Sequence, residues 1–155
     1  MNYLVDTNVL RELAKPQPAG EVMAGFVKHE PHLYVGRITL GEIRKGLELL
    51  PTGKRKTSLQ TWFKAVCERM DGRVLSFHTS TAHVWGQLVV SLEKKGVHIP
   101  TLDSQLAATA QRHGLTKVTR NVADFKNAGV KLLSPFSPWQ PPSNSDSSAS
   151  PPACG

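Results

Sequence analysis

Cysteine is scarce in this chain, and long apolar runs are missing from it. The 155 residues include two cysteines, Cys67 and Cys154, and neither has a Cys or His partner at metal-ligand spacing. This excludes a disulfide-stapled secreted fold and a cysteine-built zinc site. No apolar stretch approaches the length of a membrane span, and the N-terminus carries an acidic residue, Asp6, where a signal peptide would be apolar. We therefore expect a cytoplasmic protein without a membrane partner.

Two common enzyme signatures are also missing. No G-x-G-x-x-G follows any predicted strand, which disfavours a dinucleotide-binding domain. A phosphatase with an aspartyl nucleophile also begins with an Asp after its first strand, but it normally has a second Asp two residues later. This chain has Asn8 at that position. The six histidines are scattered without ligand spacing, so we expect no zinc or general-base role for them.

Acidic residues are outnumbered by basic ones. Nineteen Lys and Arg against twelve Asp and Glu give a net charge of +7 and a pI near 9.7. This balance favours a polyanionic partner such as RNA, DNA or an acidic peptide, although it also fits general solubility. A basic cluster has the same two interpretations, an RNA track or a solvated helix face. It consists of Lys54, Arg55 and Lys56, with Arg44 and Lys45 on the neighbouring helix.

Short apolar segments alternate with amphipathic ones along residues 1–136. Because parallel strands need helical crossovers, this alternation predicts an α/β fold, a three-layer sandwich with a mostly parallel central sheet. The apolar periodicity predicts strands over 2–5, 33–35, 73–77, 115–119 and 130–133, and helices over 9–13, 20–29, 38–50, 55–70, 79–95 and 101–113, with a helical turn over 122–126.

The composition changes abruptly after residue 136. Residues 137–155 are dominated by Pro and Ser, with a single apolar anchor at Trp139. Such a segment buries too little apolar surface to offset the entropy of ordering. We predict one domain over residues 1–136, followed by a disordered tail.

Four of the acidic residues are predicted to lie near the same edge of the sheet. Asp6 follows the first strand, Glu42 lies in the first turn of the helix after the second strand, Asp103 opens the helix after Pro100, and Asp124 follows the strand that ends at Thr119. Sites in open α/β sheets form beyond the carboxyl ends of the strands. Clustered carboxylates repel one another unless a cation neutralises them, and oxygen-only ligands favour Mg²⁺ or Mn²⁺.

Each acid also has an interpretation as a helix cap. Thr39 and Glu42 fit the S/T-x-x-E capping box. Asp6 could be an N-cap, Asp103 could offset a helix dipole, and Asn121 with Asp124 could form another cap pair. Capping does not explain the polar side chains that flank the acids and suit phosphate or metal-associated water, which are Thr7, Asn8, Thr119, Arg120 and Asn121.

Four segments surround these acids: VDTNVL at 5–10, ITLGEIRKG at 38–46, LDSQLAATAQRHGL at 102–115 and VTRNVADF at 118–125. In this order they closely resemble the motifs of PIN-domain nucleases, especially the VapC and FitB-like branch of toxin-antitoxin systems. The resemblance covers roughly residues 2–136. It implies a PIN-like fold and a Mg²⁺-dependent endoribonuclease toxin, usually a homodimer. Its partners would be an RNA substrate and a cognate antitoxin, with operator DNA reached only through the antitoxin.

The resemblance makes Asp6, Glu42, Asp103 and Asp124 the metal-binding and catalytic residues. We expect Asp6 and Asp103 to bind the ion most directly, with the other two completing the shell directly or through water. A water activated by the metal would attack the phosphodiester, leaving 5′-phosphate and 3′-hydroxyl ends. Thr119 and Asn8 would orient ligands or water, and Arg120 would contact a phosphate or remain a surface residue. The alternative is a catalytically silent PIN-like module that binds RNA or antitoxin.

Two positions depart from the family's pattern. His78 stands where relatives commonly have an acid at a helix start, and Ser134-Pro135 replaces a common Asn-Pro. Neither lies in the four motifs, so we expect altered capping and local structure without loss of activity.

Overall fold

The protein is an α/β sandwich built on one parallel sheet. A computed structural model describes residues 1–126, 128–137 and 139. Within these residues the sheet has five strands in the order β3-β2-β1-β4-β5, and every neighbouring pair is parallel. The strands are β1 (Tyr3–Val5), β2 (Leu33–Gly36), β3 (Val74–Leu75), β4 (Thr116–Val118) and β5 (Leu132–Leu133). The predicted fold class is confirmed.

Helices connect the strands. They are α1 (Thr7–Leu13), α2 (Gly20–His29), α3 (Arg37–Glu48), α4 (Lys54–Arg69), α5 (Thr79–Lys94) and α6 (Thr101–His113), with short 3-10 helices at Glu30–His32 and Val122–Phe125. Gly114 ends α6 in the left-handed conformation, at φ 64°, which glycine adopts without steric cost. Among the helices of the described residues, none is long and apolar enough to cross a membrane.

Alternating side chains of β1 divide the core between two faces of the sheet. Tyr3 and Val5 pack with Val22 of α2 and Ile43 of α3, whereas Leu4 packs on the opposite face with Leu106 of α6. Because strands buried on both faces have no polar side, the run is apolar throughout. Helices cover both faces of the sheet, which gives the predicted three layers.

Four of the five predicted strands are shorter than the apolar pattern predicts, although β1 lacks only residue 2. The predicted strand over 73–77 pairs only at Val74 and Leu75, opposite Val35 and Gly36 of β2. The predicted strands over 115–119 and 130–133 are likewise reduced to β4 and β5. Apolar periodicity detects burial and does not detect where the hydrogen-bonded ladder stops, so the predicted ends were wrong.

Packing continues to Trp139, beyond the predicted domain end at residue 136. The indole is 7% exposed and lies against Tyr3 of β1 and His29 of α2, with ring centroids 5.5 and 5.4 Å away. It covers Gly25, where an added Cβ would overlap the indole ring. The rest of the predicted tail, Pro138 and residues 140–155, lies outside the described residues, so its predicted disorder stays a prediction.

Candidate metal centre

Asp6 is the most enclosed of the four predicted acids. It follows β1 directly, is 3% exposed, and its backbone N–H donates to the Val118 carbonyl of β4 at 3.0 Å. Its Oδ1 accepts from the Thr7 backbone N–H at 2.7 Å, so the predicted N-cap of α1 is confirmed. Its Oδ2 accepts from the Thr119 hydroxyl at 2.9 Å and from the Lys117 ammonium at 3.1 Å. Capping α1 therefore occupies one oxygen, and the other belongs to a buried polar cluster.

Lys117 was not identified as a site residue from the sequence. Its side chain is fully buried in the middle of β4, with the ammonium 3.9 Å from the centroid of the Phe125 ring. A lysine is almost never fully buried unless it is paired. A lysine in the middle of the predicted strand 115–119 was the available signal, because a strand inside the sheet leaves its side chain no access to solvent. Its partner, Asp6, lies too far along the chain for local spacing to reveal.

Glu42 is joined to the cluster through Thr7. The Thr7 hydroxyl donates to Glu42 Oε1 at 3.0 Å. The helix α3 begins at Arg37 after its N-cap Gly36. Glu42 therefore lies in the second turn of α3, whereas the sequence predicted the first turn. The predicted capping box with Thr39 is therefore wrong, because both residues lie too far into the helix to cap it. Glu42 is thus available to the cluster.

Asp103 lies close enough to the other three acids for their negative charges to affect its pKa. It is the third residue of α6 and is half-buried. Burial raises the pKa of Asp103, and the negative charges of Asp6, Glu42 and Asp124 raise it further, whereas the Lys117 ammonium acts in the opposite direction. The four acids predicted from strand ends thus share one electrostatic environment.

Asp124 is the exposed member of the group. It lies in the 3-10 helix that follows β4, and its backbone N–H donates to the Asn121 carbonyl at 3.2 Å. Asn121 is the N-cap of this helix but makes no side-chain capping bond, so the predicted cap pair is not formed. An exposed carboxylate at this position remains open to water or ligand.

The polar residues that flank the acids differ in what they contact. Thr7 and Thr119 contact the acids directly, and the Thr119 hydroxyl also accepts from the Asn121 backbone N–H at 3.2 Å. Asn8 is half-buried in the first turn of α1. Arg120 instead pairs with the buried Glu12 of α1 at 3.1 Å.

Arg120 is held from two sides, although its side chain is 48% exposed. Besides the pair with Glu12, its guanidinium lies 4.8 Å from the centroid of the Phe136 ring. Glu12 also accepts from the Ala19 backbone N–H and pairs with Lys15, and these contacts lower the pKa of Glu12. The guanidinium thus occupies a surface network beside β4.

The donor chemistry of this cluster suits a hard divalent cation. The described residues contain no group of three or more acidic, His or Cys side chains already arranged around a metal position. Mg²⁺ needs no such group, since it usually binds one or two carboxylates and keeps several waters. Burial raises the pKa of Asp103, and the negative charges of Asp6, Glu42 and Asp124 raise it further, against the opposing charge of Lys117. A bound cation would offset the repulsion among these carboxylates, so the residues fit Mg²⁺ or Mn²⁺.

The predicted basic cluster lies on the helices that follow β2. Lys54 and Arg55 are exposed at the start of α4, and Arg44 and Lys45 are exposed on α3, the helix that carries Glu42. Arg44 forms an exposed pair with Glu48 at 3.6 Å. Such a pair contributes little to stability, so the arginine remains available to an anionic partner.

Comparison with known proteins places these residues in a family context. The family model described as PIN domain matches residues 3–131. The VapC ribonuclease Y4jK of Sinorhizobium fredii is 34% identical over 137 residues, which cover 87% of this chain and 98% of the relative. The toxin FitB of Neisseria gonorrhoeae is 34% identical over 140 residues, 88% of this chain and 97% of FitB. The crystal structure of FitAcB from the same organism superposes with a TM-score of 0.81 and 33% identity, covering 86% of this chain and 98% of its own. A structure of FitAB bound to a DNA fragment gives a TM-score of 0.83 at 31% identity, with 89% and 98% covered.

Proposed function

Because the chain belongs to the PIN-domain family, we propose that it is a Mg²⁺-dependent endoribonuclease and the toxin of a toxin-antitoxin module. Its relatives include proteins named VapC ribonuclease and toxin FitB. The observation that carries the proposal is the gathering of acids at the carboxyl edge of the sheet. Asp6 follows β1, the neighbouring Thr7 bonds Glu42, and the charges of Asp6, Glu42 and Asp124 act on Asp103. Clustered carboxylates repel one another unless a cation neutralises them.

Asp6 and Asp103 would hold the ion most directly, and Glu42 and Asp124 would complete its surroundings directly or through water. When bound, Mg²⁺ would activate the attacking water and stabilise the negative charge that develops on the phosphate. Mn²⁺, with similar ligand preferences, would substitute for it.

The other residues would position these acids and the RNA. Thr119 and Lys117 hold the Asp6 carboxylate, and Thr7 holds Glu42. Asn8 and Asn121 would orient water near the acids. Arg120 would reach a phosphate only by leaving Glu12, which would keep Lys15 and the Ala19 backbone N–H as partners.

Cleavage of RNA by the purified, antitoxin-free protein tests the nuclease activity. We expect a structured RNA to be cut in Mg²⁺, to stay intact in EDTA, and to stay intact with the Asp6→Ala variant in Mg²⁺. If the native protein binds RNA but cuts none under these conditions, the catalytically silent alternative replaces the proposal. Equal cleavage by Asp6→Ala would show that Asp6 is not required for the reaction.

Thr119→Val keeps the shape of the side chain and removes the hydroxyl that donates to Asp6. Loss of a residue that orients a metal ligand typically costs 10- to 100-fold in metal affinity or activity. We expect cleavage at limiting Mg²⁺ to fall by about tenfold or more, with partial recovery at high Mg²⁺. Thr61→Val is the control, because its exposed hydroxyl on α4 bonds only the preceding helical turn, to the Thr57 carbonyl. An unchanged Mg²⁺ dependence in Thr119→Val would contradict the proposed role.

The toxin role requires partners beyond RNA. We propose a homodimer silenced by a cognate antitoxin, with operator DNA contacted through the antitoxin. A short reading frame immediately upstream would encode this antitoxin, and its purified product should abolish cleavage at a one-to-one ratio. If no neighbouring product inhibits cleavage, a stand-alone nuclease is the better description.

A further inference from the structure

Lys117 is an unusual component of the acidic cluster. Its side chain is fully buried in a strand with neighbours on both sides, β1 and β5. An unpaired charge at such a position would be strongly unfavourable. The structure pairs the ammonium with Asp6 Oδ2 at 3.1 Å and places it 3.9 Å from the Phe125 ring centroid. Both contacts stabilise a positive charge there.

The ammonium lies within the field of the same acids proposed to hold the metal. Burial lowers the pKa of Lys117, whereas Asp6, Asp103 and Glu42 act in the opposite direction and favour its charged form. Lys117 acts in turn on Asp103. The cluster therefore contains four carboxylates and one fixed cation, the ammonium. Burial and the Phe125 contact leave this lysine little freedom to withdraw, unlike a surface lysine.

The Asp6 carboxylate is already well supplied with donors. It accepts three hydrogen bonds, from Thr7, Lys117 and Thr119. A carboxylate has about four acceptor positions, so about one remains for a divalent ion. That ion would approach an oxygen shared with, or next to, the ammonium, and the two cations would repel each other.

We propose that Lys117 is a built-in cation that shares the acidic site with the divalent ion, holding Asp6 in place before the ion binds and weakening the site's affinity for it. The inference rests on the proposed metal site. The ammonium also supplies positive charge that a second divalent ion would otherwise bring, and this limits the number of ions that the site needs. The native chain should bind one ion.

Calorimetric titration with Mn²⁺ tests this role without reference to activity. Lys117→Met keeps an unbranched apolar stem and removes the charge. Even with the full screening of water, a unit charge and a divalent ion about 5 Å apart repel enough to change Kd roughly tenfold. We expect Lys117→Met to bind Mn²⁺ at least about tenfold more tightly than the native protein. Damage to the fold can only weaken binding, so a tightened Kd cannot come from a structural defect.

Two further variants serve as controls. Lys117→Arg retains a positive charge and should keep the weak native affinity. Lys28→Met removes an exposed charge beside His29. The His29 ring lies 5.2 Å from the ring of Tyr3, at the amino-terminal end of β1 and away from the acids. Lys28→Met should leave the Mn²⁺ affinity unchanged, which shows that net charge alone is not responsible.

The outcomes separate this inference from the proposed function. If native and Lys117→Met proteins bind Mn²⁺ with the same Kd, or the variant binds more weakly, the role of Lys117 is wrong while the metal site stands. If neither binds Mn²⁺, the metal site itself is wrong. Should Lys117→Met be unfolded without metal, Mn²⁺ must restore its circular dichroism spectrum, because the ion then replaces the lost cation; failure to do so overturns the inference.

Discussion

Asp103→Asn is expected to abolish RNA cleavage and, at the same time, to raise the melting temperature of the metal-free protein. Asparagine keeps the shape of the side chain and removes the charge that would hold the ion. The loss of activity should be at least about a hundredfold, because even residues that only support a metal ligand cost up to that amount. The gain in stability comes from the same charge.

The sign of the stability change follows from the raised pKa of Asp103. An acid whose pKa is higher in the folded chain binds its proton more tightly there than in the unfolded chain. The metal-free protein therefore loses stability as pH rises from the unfolded value of about 3.9 through the higher folded value. This loss is complete above the folded pKa, and Asp103→Asn avoids it.

Thermal melts in EDTA between pH 3 and pH 8 measure this effect. The advantage of Asp103→Asn should be present at pH 7 and vanish as pH falls below about 3.9, where the native side chain is protonated. Asp71→Asn is the matched control, since Asp71 is exposed in the turn after α4 and lies outside the cluster. If Asp103→Asn lowers the melting temperature at pH 7, the acids are not in electrostatic conflict.

Trp139→Ala is expected to destabilise the fold by about 3 kcal/mol or more, the usual cost of deleting a buried tryptophan ring. The indole is 7% exposed, stacks on His29 with planes 8° apart, and meets the Tyr3 ring edge-on at 62°. Removing it opens a cavity against β1 and α2. For a chain of this size the melting temperature should fall by roughly 10 °C.

A double-mutant cycle with Gly25→Ala shows whether the indole occupies this position. With Trp139 present, the new methyl group overlaps the ring and should cost about 1–3 kcal/mol. With Trp139→Ala the clash disappears, and alanine should stabilise α2 by up to about 1 kcal/mol. Gly86→Ala in α5, where an added Cβ meets nothing within 4 Å, should behave alike in both backgrounds. Additive effects of Gly25→Ala and Trp139→Ala would contradict the packing.

The acids were predictable from the sequence because parallel topology determines where strand ends lie. Once β1 and β4 are recognised as parallel strands, Asp6 and Asp124 must follow them at the same edge of the sheet. The helices could also be predicted from the sequence, because apolar periodicity indicates where each one lies and Gly114 marks the end of α6. The strand order β3-β2-β1-β4-β5 was not, because it depends on contacts between distant segments.

The supporting contacts were hidden for a similar reason. Lys117 pairs with Asp6, which lies 111 positions earlier in the chain. Arg120 pairs with Glu12, which lies 108 positions earlier. Glu42 was predicted to lie near a helix start, but its bond to Thr7 depends on α1 packing beside α3. Local pattern identifies which residues carry charge, and only the fold shows which charges meet.

Analysis of the ends of the RNA fragments produced in Mg²⁺ tests the central claim most directly. Attack by a water activated in the acidic site predicts 5′-phosphate and 3′-hydroxyl ends, and no fragments in EDTA. A 2′,3′-cyclic phosphate would mean that the ribose hydroxyl attacked instead, a reaction that needs no ion at Asp6 and Asp103. That result, or fragments that persist in EDTA, would contradict the account.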